Sequence, residues 1–492
     1  MTSTDEKEYR HRIWAWTMYD WANSAFATTI LAVILPIYFS KVAGATLPNP
    51  ALATSYWSAG LSVSLLIVAI LSPILGTVSD ISRSKKRFLA AFASLGILST
   101  ALLVLVGTGD WVLASILAIL GRIGFNGSVT FYDSLLPHIA RPEDQDRVSA
   151  RGFAVGYLGG GLLLVINVIM LQLLPGTWGA RLSFLSVAIW WAIFSLPLLL
   201  RVPEPKTATE QLGAGENIFT ASFQRIWATI HDVRRYRELF KYLLAFLIYN
   251  DGIGTIIGVA AIYGSELGLG DTDLILALLL VQFAGIPYSL IFGKLPSPGE
   301  KRRPMYLAFI LFNLFTIPLA GTFGARFLPA STQGNLGVII GLIAALQATG
   351  LAVSMLSARL LRPWAEKLDT QRSILLSLVI YSVIAVWGYF IHSILEFWLL
   401  AWMVSIVQGG SQALSRSLYA ALSPASKSGE FFGLFGVMEK FASLIGPLMF
   451  ALAGIFFGST RPAILSLIVL FVAGGLILAR VDVARGREAA RE

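Results

Sequence analysis

Cysteine is absent from all 492 residues, so disulfides, iron–sulfur clusters and cysteine-ligated zinc are excluded. Charge is scarce as well. Only 13% of residues are Asp, Glu, Lys or Arg, about half the share of an ordinary soluble chain. The four histidines, His11, His138, His231 and His392, are scattered without metal-ligand spacing, and no metal is expected. No GxxxxGK[ST] phosphate loop occurs, which argues against an ATP-driven pump. No nucleophile–base or metal-hydrolase motif declares itself, so neither an enzyme nor a cofactor is expected. The opening MTSTDEKEYRHR lacks an apolar core and a small-residue cleavage site, and does not read as a signal peptide.

What is abundant is apolar sequence. Hydrophobic residues make up 56% of the chain and mean hydropathy is +0.73. Runs long enough to cross ~30 Å of hydrocarbon as helices recur from Trp14 to Ala479. Fourteen spans are predicted: 14–40, 54–78, 88–107, 111–138, 151–174, 180–200, 239–265, 273–294, 304–324, 334–358, 373–391, 396–420, 431–457 and 461–480. The fold class implied is an all-α polytopic membrane protein, because helices satisfy their own backbone in lipid.

Lysine and arginine give the spans a direction. With the N-terminus inside, 31 of the 37 fall on cytoplasmic segments. Four are external, Lys41, Arg181, Arg326 and Arg461, and Arg122 and Lys440 lie within helices. This asymmetry predicts cytoplasmic termini and an even number of crossings. The +9 net charge therefore faces an anionic leaflet, and nucleic-acid binding is not expected.

The chain divides into 1–200, an N-terminal six-helix bundle; 201–238, a cytoplasmic linker; and 239–492, a C-terminal bundle. Within the linker, Phe219, Phe223, Ile226, Trp227, Ile230 and Val233 recur at helical spacing among arginines, predicting an amphipathic surface helix. The halves resemble degenerate parallel copies. SVTFYDSLLP (128–137) and SRSLYAALSP (415–424) share Ser, Tyr, Leu and Pro, and Tyr19-Asp20 has a counterpart in Tyr249-Asn250-Asp251.

Polar residues inside hydrocarbon cost roughly 2.5–3.5 kcal/mol for a central charge, and so mark candidate sites. Arg122, Asn126 and Asp133 lie within about 40° of one another on the fourth span. Asp133, near the cytoplasmic end, suits gating or packing. Asp20, Asn23 and Ser24 share a face of the first span, Asn250 and Asp251 lie on the seventh, and Gln408, Ser411 and Gln412 on the twelfth. Glu439 and Lys440 are adjacent, so one is expected to face the interior and the other a partner helix. Arg416, near a helix end, is expected to snorkel to the headgroups. Gly152, Gly156 and Gly160 form a close-packing stripe.

Two bundles joined by a basic linker resemble the major facilitator superfamily. GTVSDISRSKKR (76–87) is similar to its signature loop, in which Gly76, Asp80, Arg83 and Arg87 would form a gate. YDWANSAFATT (19–29), RVSARGFAVGYLGGG (147–161) and QGGSQALSRSLYA (408–420) resemble the branch of fungal autophagy-related vacuolar amino-acid effluxers and their bacterial relatives. Twelve helices are expected of that family. The loop GKLPSPGEKRR (293–303) lacks the signature Asp, whereas RPWAEKLDTQR (362–372) echoes it, which suggests an inserted helix pair at about 304–358.

The resemblance implies a secondary transporter working by alternating access, exporting an amino acid or similar metabolite. Its first, fourth, seventh and tenth helices (the last being the twelfth span here) would line the cavity. Asp20, Asp133 and Asp251 would carry protons if transport is coupled, and Arg122 or Lys440 would hold an anionic group. The expected partners are a small-molecule substrate, protons and the lipid bilayer, with the chain acting as a monomer in the cytoplasmic membrane if bacterial. Two alternatives stay open: a lipid or lysolipid transporter, and a non-transporting receptor or scaffold.

Overall fold

A computed structural model describes residues 3–205, 220–222, 224, 227, 235–442, 445–457 and 461–491. Among these residues, thirteen helices are long and apolar enough to cross a membrane. In the first bundle they are α1 (Ser3–Ala25, continued to Ala43), α2 (Pro50–Ile81), α3 (Lys85–Leu102), α4 (Trp111–Ser134), α5 (Gln145–Leu173) and α6 (Trp178–Arg201). In the second they are α7 (Arg237–Glu266), α8 (Asp271–Lys294), α9 (Arg303–Phe327), α10 (Leu336–Ala365), α11 (Thr370–Phe390), α12 (Ile394–Leu422) and α15 (Arg461–Ala479). The predicted span 431–457 corresponds to α13 (Ser428–Phe441) and α14 (Ile445–Phe457), each too short by itself to be counted. Most of the predicted amphipathic linker helix lies outside the described residues.

Local sequence sets several helix starts. Asn49 accepts from the Leu52 amide at 3.0 Å, and Asp369 from Arg372 at 2.8 Å. Ser393 and Glu396 form a capping box at the start of α12. The first span is not a uniform α-helix, since Phe26–Ile34 and Phe39–Ala43 are wound as π-helix. Such widening is frequent at functional sites.

Glycine sets the closest helix contacts. A Cβ at Gly124 of α4 would stand 2.3 Å from the Gly96 amide of α3. The predicted stripe packs α5 on α1: a Cβ at Gly156 would lie 2.6 Å from Ser24 Oγ, and one at Gly160 3.0 Å from Thr28 Oγ1. In the second bundle α7 and α11 pack on α15, and α12 packs on α8 and α11. The bundles meet where α5 crosses α8 and α12, and where α2 and α4 cross α13.

Helices α9 and α10 lie outside this arrangement, packing chiefly on each other, with α9 also on α12. Their outer surface is apolar: Leu356, Leu360 and Trp364 are at least 70% exposed, as a lipid-facing surface requires. A partly buried polar chain ties the pair inward. The Tyr288 hydroxyl donates to Gln347 at 2.7 Å, and Gln347 donates to Asn313 at 2.7 Å.

Candidate functional site between the bundles

The loops rich in basic residues gather at one end of the molecule, called here the basic end. There the helices carry side chains across the bundle interface. Arg416 of α12 is 4% exposed and reaches into the first bundle. Its Nη1 donates to Asp133 Oδ1 of α4 at 2.9 Å, and its Nη2 lies 3.4 Å from Asp20 Oδ2 of α1. Nε donates to Ser149 Oγ of α5 at 2.9 Å, and Nη2 also to the Ser149 carbonyl at 3.0 Å. The Tyr132 hydroxyl donates to the same Asp20 oxygen at 2.7 Å. One guanidinium thus joins four helices.

Aromatic rings enclose this cluster. The Arg416 guanidinium carbon lies 4.6 Å from the Phe153 ring centre and 4.9 Å from that of Trp16. Trp16 stacks on Tyr132 at 4.4 Å. Such walls exclude water and strengthen each charge–charge interaction. Room for the cluster comes from Gly152, where a Cβ would stand 2.2 Å from Asp20 Oδ2 and 2.9 Å from Arg416 Nη2. The expectation that Arg416 snorkels is therefore overturned. Its side chain leaves the helix end sideways, toward two carboxylates, because burial beside them compensates the guanidinium charge and supplies its hydrogen bonds.

A second contact completes the closure. Gly76 of α2 meets Gly429 of α13 so closely that a Cβ on Gly76 would stand 2.2 Å from the Gly429 carbonyl oxygen. Asp80 accepts from the amides of Gly429 at 3.0 Å and Glu430 at 2.8 Å, placing its charge at the N-terminus of α13. Its buried cation partner is Lys85. Arg83 and Arg87, expected in the gate, are exposed, and of the basic residues that close the turn it is Lys85 that reaches Asp80. Arg83 makes the turn with a left-handed φ of 50°. On the other flank Arg147 donates to Ser297 at 3.0 Å and lies 3.8 Å from Glu300. The loop without the signature Asp is thus held in the opposite polarity.

Deeper in, Arg122 is half-buried on α4 with its guanidinium carbon 5.0 Å from the Trp57 ring centre. Among the described residues no carboxylate lies within 4.0 Å of it. Further along the same face, Thr130 Oγ1 would be 3.2 Å from a Cβ at Gly436 of α13, so the stripe faces the second bundle. Asn126 is buried on that stripe. Asp133 shares the face but not the partner: it pairs with Arg416, leaving Arg122 alone. Lys440 and Glu439 pair with each other at 3.0 Å, correcting the expectation that they part toward different surroundings.

Asp251 is fully buried and accepts from the amides of Ile445 at 3.0 Å and Gly446 at 2.9 Å, at the start of α14. Those bonds make it a helix cap in this state. Asn250, Gln408 and Gln412 are half-buried, and Ser411 is buried, donating to the Gln408 carbonyl. Asn23 Nδ2, Tyr157 OH, Gln282 Oε1 and Tyr381 OH are buried without a protein hydrogen-bond partner. Tyr157 occupies a notch in the second bundle, its ring against Gly285 and Gly409. Buried polar groups are normally satisfied, so Tyr157, Gln282 and Tyr381 join Asn23 as candidates for contact with a solute.

A family model described as "Vacuole effluxer Atg22 like" matches residues 46–339 and 316–491. An uncharacterized MFS-type transporter, YxiO of Bacillus subtilis, is 32% identical over 95% of this chain and 94% of its own. Autophagy-related protein 22 of Coccidioides immitis is 24% identical over 88% of this chain and 73% of its own. Among solved structures, the proton:xylose symporter XylE aligns with a TM-score of 0.59 at 15% identity, covering 96% of each chain. A bacterial homologue of the iron transporter ferroportin, in its outward-facing state, aligns with a TM-score of 0.57 at 12% identity, covering 96% of this chain and 99% of its own.

Proposed function

This chain belongs to the Atg22-like vacuole-effluxer family, within the major facilitator superfamily of membrane transporters, and on that premise we propose that it exports an amino acid or similar small metabolite by alternating access. The observation that carries this reading is the Arg416 cluster. It is a charged seal between bundles at one end, and it must part for a solute to pass. The positive-inside bias supports placing the basic end toward the cytoplasm, and in that orientation this conformation is closed to the cytoplasm. Residues 1–200 and 239–492 act as the two moving bodies. Helices α9 and α10 are an addition to the second body, since α12, rather than α10, packs beside α8 and α11.

Arg122 supports an anionic group on the substrate. A half-buried guanidinium without a carboxylate is costly, and a substrate carboxylate would neutralise it with paired hydrogen bonds. In a thermal-shift screen of amino acids, peptides, sugars and lysolipids, Arg122→Ala is expected to abolish the stabilisation given by the carboxylate ligand. A shift that survives unchanged would remove Arg122 from the site. Stabilisation by lysolipids alone would favour lipid transport. Binding without flux for any tested compound would favour a receptor.

Proton coupling has a physical basis in the same cluster. Two carboxylates facing one guanidinium leave one surplus negative charge in a low-dielectric setting, which a single proton would neutralise. We expect Asp20→Asn or Asp133→Asn to flatten the pH dependence of uptake into proteoliposomes while leaving substrate-induced stabilisation in place. Transport that ignores an imposed pH gradient, and keeps its pH profile in both variants, would rule coupling out.

A further inference from the structure

Three exposed arginines surround a cavity of about 260 Å³ at the basic end, whose lining includes no residue of the Arg416 cluster. Arg235 and Arg237 stand at the start of α7, and Arg485 on the short C-terminal helix Val483–Ala489. The buried side chains of Tyr236, Leu239 and Leu422 form its apolar floor. The walls are tied together. Glu238 accepts from Lys241 at 2.6 Å and from the Asp482 amide at 2.8 Å, so this lining carboxylate is already engaged. Asp482 in turn accepts from the Arg485 amide at 3.0 Å. Gly486 lets the terminal helix rest on α12, since a Cβ there would come within 2.5 Å of Leu422 Cδ2.

Among the described residues, Arg235, Arg237 and Arg485 have no carboxylate within 4.0 Å, although Glu488 borders the same cavity. Three like charges held around one space repel one another. Ordinary positive-inside residues are spread along loops, where water and salt screen them. These line a concave space with a buried apolar floor, beside the first turn of α7.

We propose that this cavity binds a phosphate-bearing anion, gripped by the planar guanidinium forks. The chemistry is shared by an anionic phospholipid headgroup and by free phosphate. The site lies six residues beyond Arg416 along α12, so an occupant would also fasten the C-terminal helix to the end of that helix. It is independent of the substrate assigned above.

The test is thermal unfolding of the purified full chain in detergent, titrated with short-chain phosphatidylglycerol, inorganic phosphate or short-chain phosphatidylcholine. Arg235→Gln/Arg237→Gln/Arg485→Gln is compared with Arg83→Gln/Arg87→Gln, which removes exposed charge elsewhere on the basic end. The expected result is a rise in Tm with an anion, at least ten-fold weaker in affinity for the triple variant and unaltered in the Arg83/Arg87 control. Stabilisation by phosphatidylglycerol alone identifies a lipid headgroup, and stabilisation by inorganic phosphate as well identifies the free anion. The proposal is overturned if neither anion raises Tm, if phosphatidylcholine acts equally, or if both variants weaken the response alike.

Discussion

Replacing Arg416 with Ala is expected to open the basic end and abolish transport. The side chain holds two carboxylates across the bundle interface at 2.9 and 3.4 Å. Removing one partner of a buried charge cluster costs about 3–5 kcal/mol, because the remaining charges stay desolvated. Opening releases that penalty by returning Asp20 and Asp133 to water, so the ratio of open to closed should rise by roughly two to nearly four orders of magnitude. The absence of native cysteine makes this directly measurable. A single cysteine introduced at Asn126, buried on the inter-bundle face, should react faster with an impermeant maleimide applied from the cytoplasmic side. Unchanged labelling in a folded Arg416→Ala protein would refute the seal. The combined Asp20→Asn/Asp133→Asn/Arg416→Gln variant separates charge from bulk. With no buried charge left unpaired, it should close nearly as well as the parent while losing any pH dependence.

The second large effect is expected from Gly76→Val. Here the obstacle is main chain against main chain: the added Cβ would lie 2.2 Å from the Gly429 carbonyl oxygen, whereas ordinary contact begins near 3.4 Å. Neither atom belongs to a flexible side chain, so α2 and α13 must separate by about 1 Å or more, and the Asp80 bonds to the Gly429 and Glu430 amides go with them. Each bundle keeps its own packing, so the variant should fold with nearly the parent Tm. Transport should nevertheless fall at least ten-fold, and the Asn126 cysteine should label from the cytoplasmic side. Gly341→Ala is the control, since nothing lies within 4 Å of a Cβ there. Equal transport in Gly76→Val and Gly341→Ala would show that the close approach is not needed for the cycle.

The two seals differ in how far they were legible beforehand. Gly76 and Asp80 stand four residues apart in one loop, a spacing that a motif can record. Lys85, however, was not separable from Arg83, Lys86 and Arg87 within the same basic run. Which of four neighbouring cations turns inward depends on the loop's path, and here the left-handed turn at Arg83 sends that side chain outward. For Arg416 the local signal pointed the wrong way. A basic residue near a helix end usually reaches headgroups, and its actual partners lie 283 and 396 residues away in sequence. Gly152 was legible as a close-packing residue. That its missing Cβ makes room for the Asp20–Arg416 contact was not, because the contact involves three helices.

Asp251 and Lys440 show the same limit. Both are polar residues in apolar surroundings, so their cost in lipid was evident from composition. The structure gives Asp251 to the amides at the start of α14 and Lys440 to its neighbour Glu439. Arg122 has no carboxylate within 4.0 Å among the described residues, and its guanidinium lies over Trp57. No scan of one helix could have distinguished these three.

By itself the sequence determined that this is a multi-spanning helical membrane protein, where its spans fall, and which side chains are costly enough in lipid to mark an interior. Those properties depend on runs and periodicities within about twenty residues, the length a bilayer imposes. The tertiary structure alone decided which charges neutralise one another and which remains free. Pairing depends on the distance between helices far apart in the chain, and a few ångströms there separate an inter-bundle ion cluster, a helix cap and a charge without a carboxylate partner.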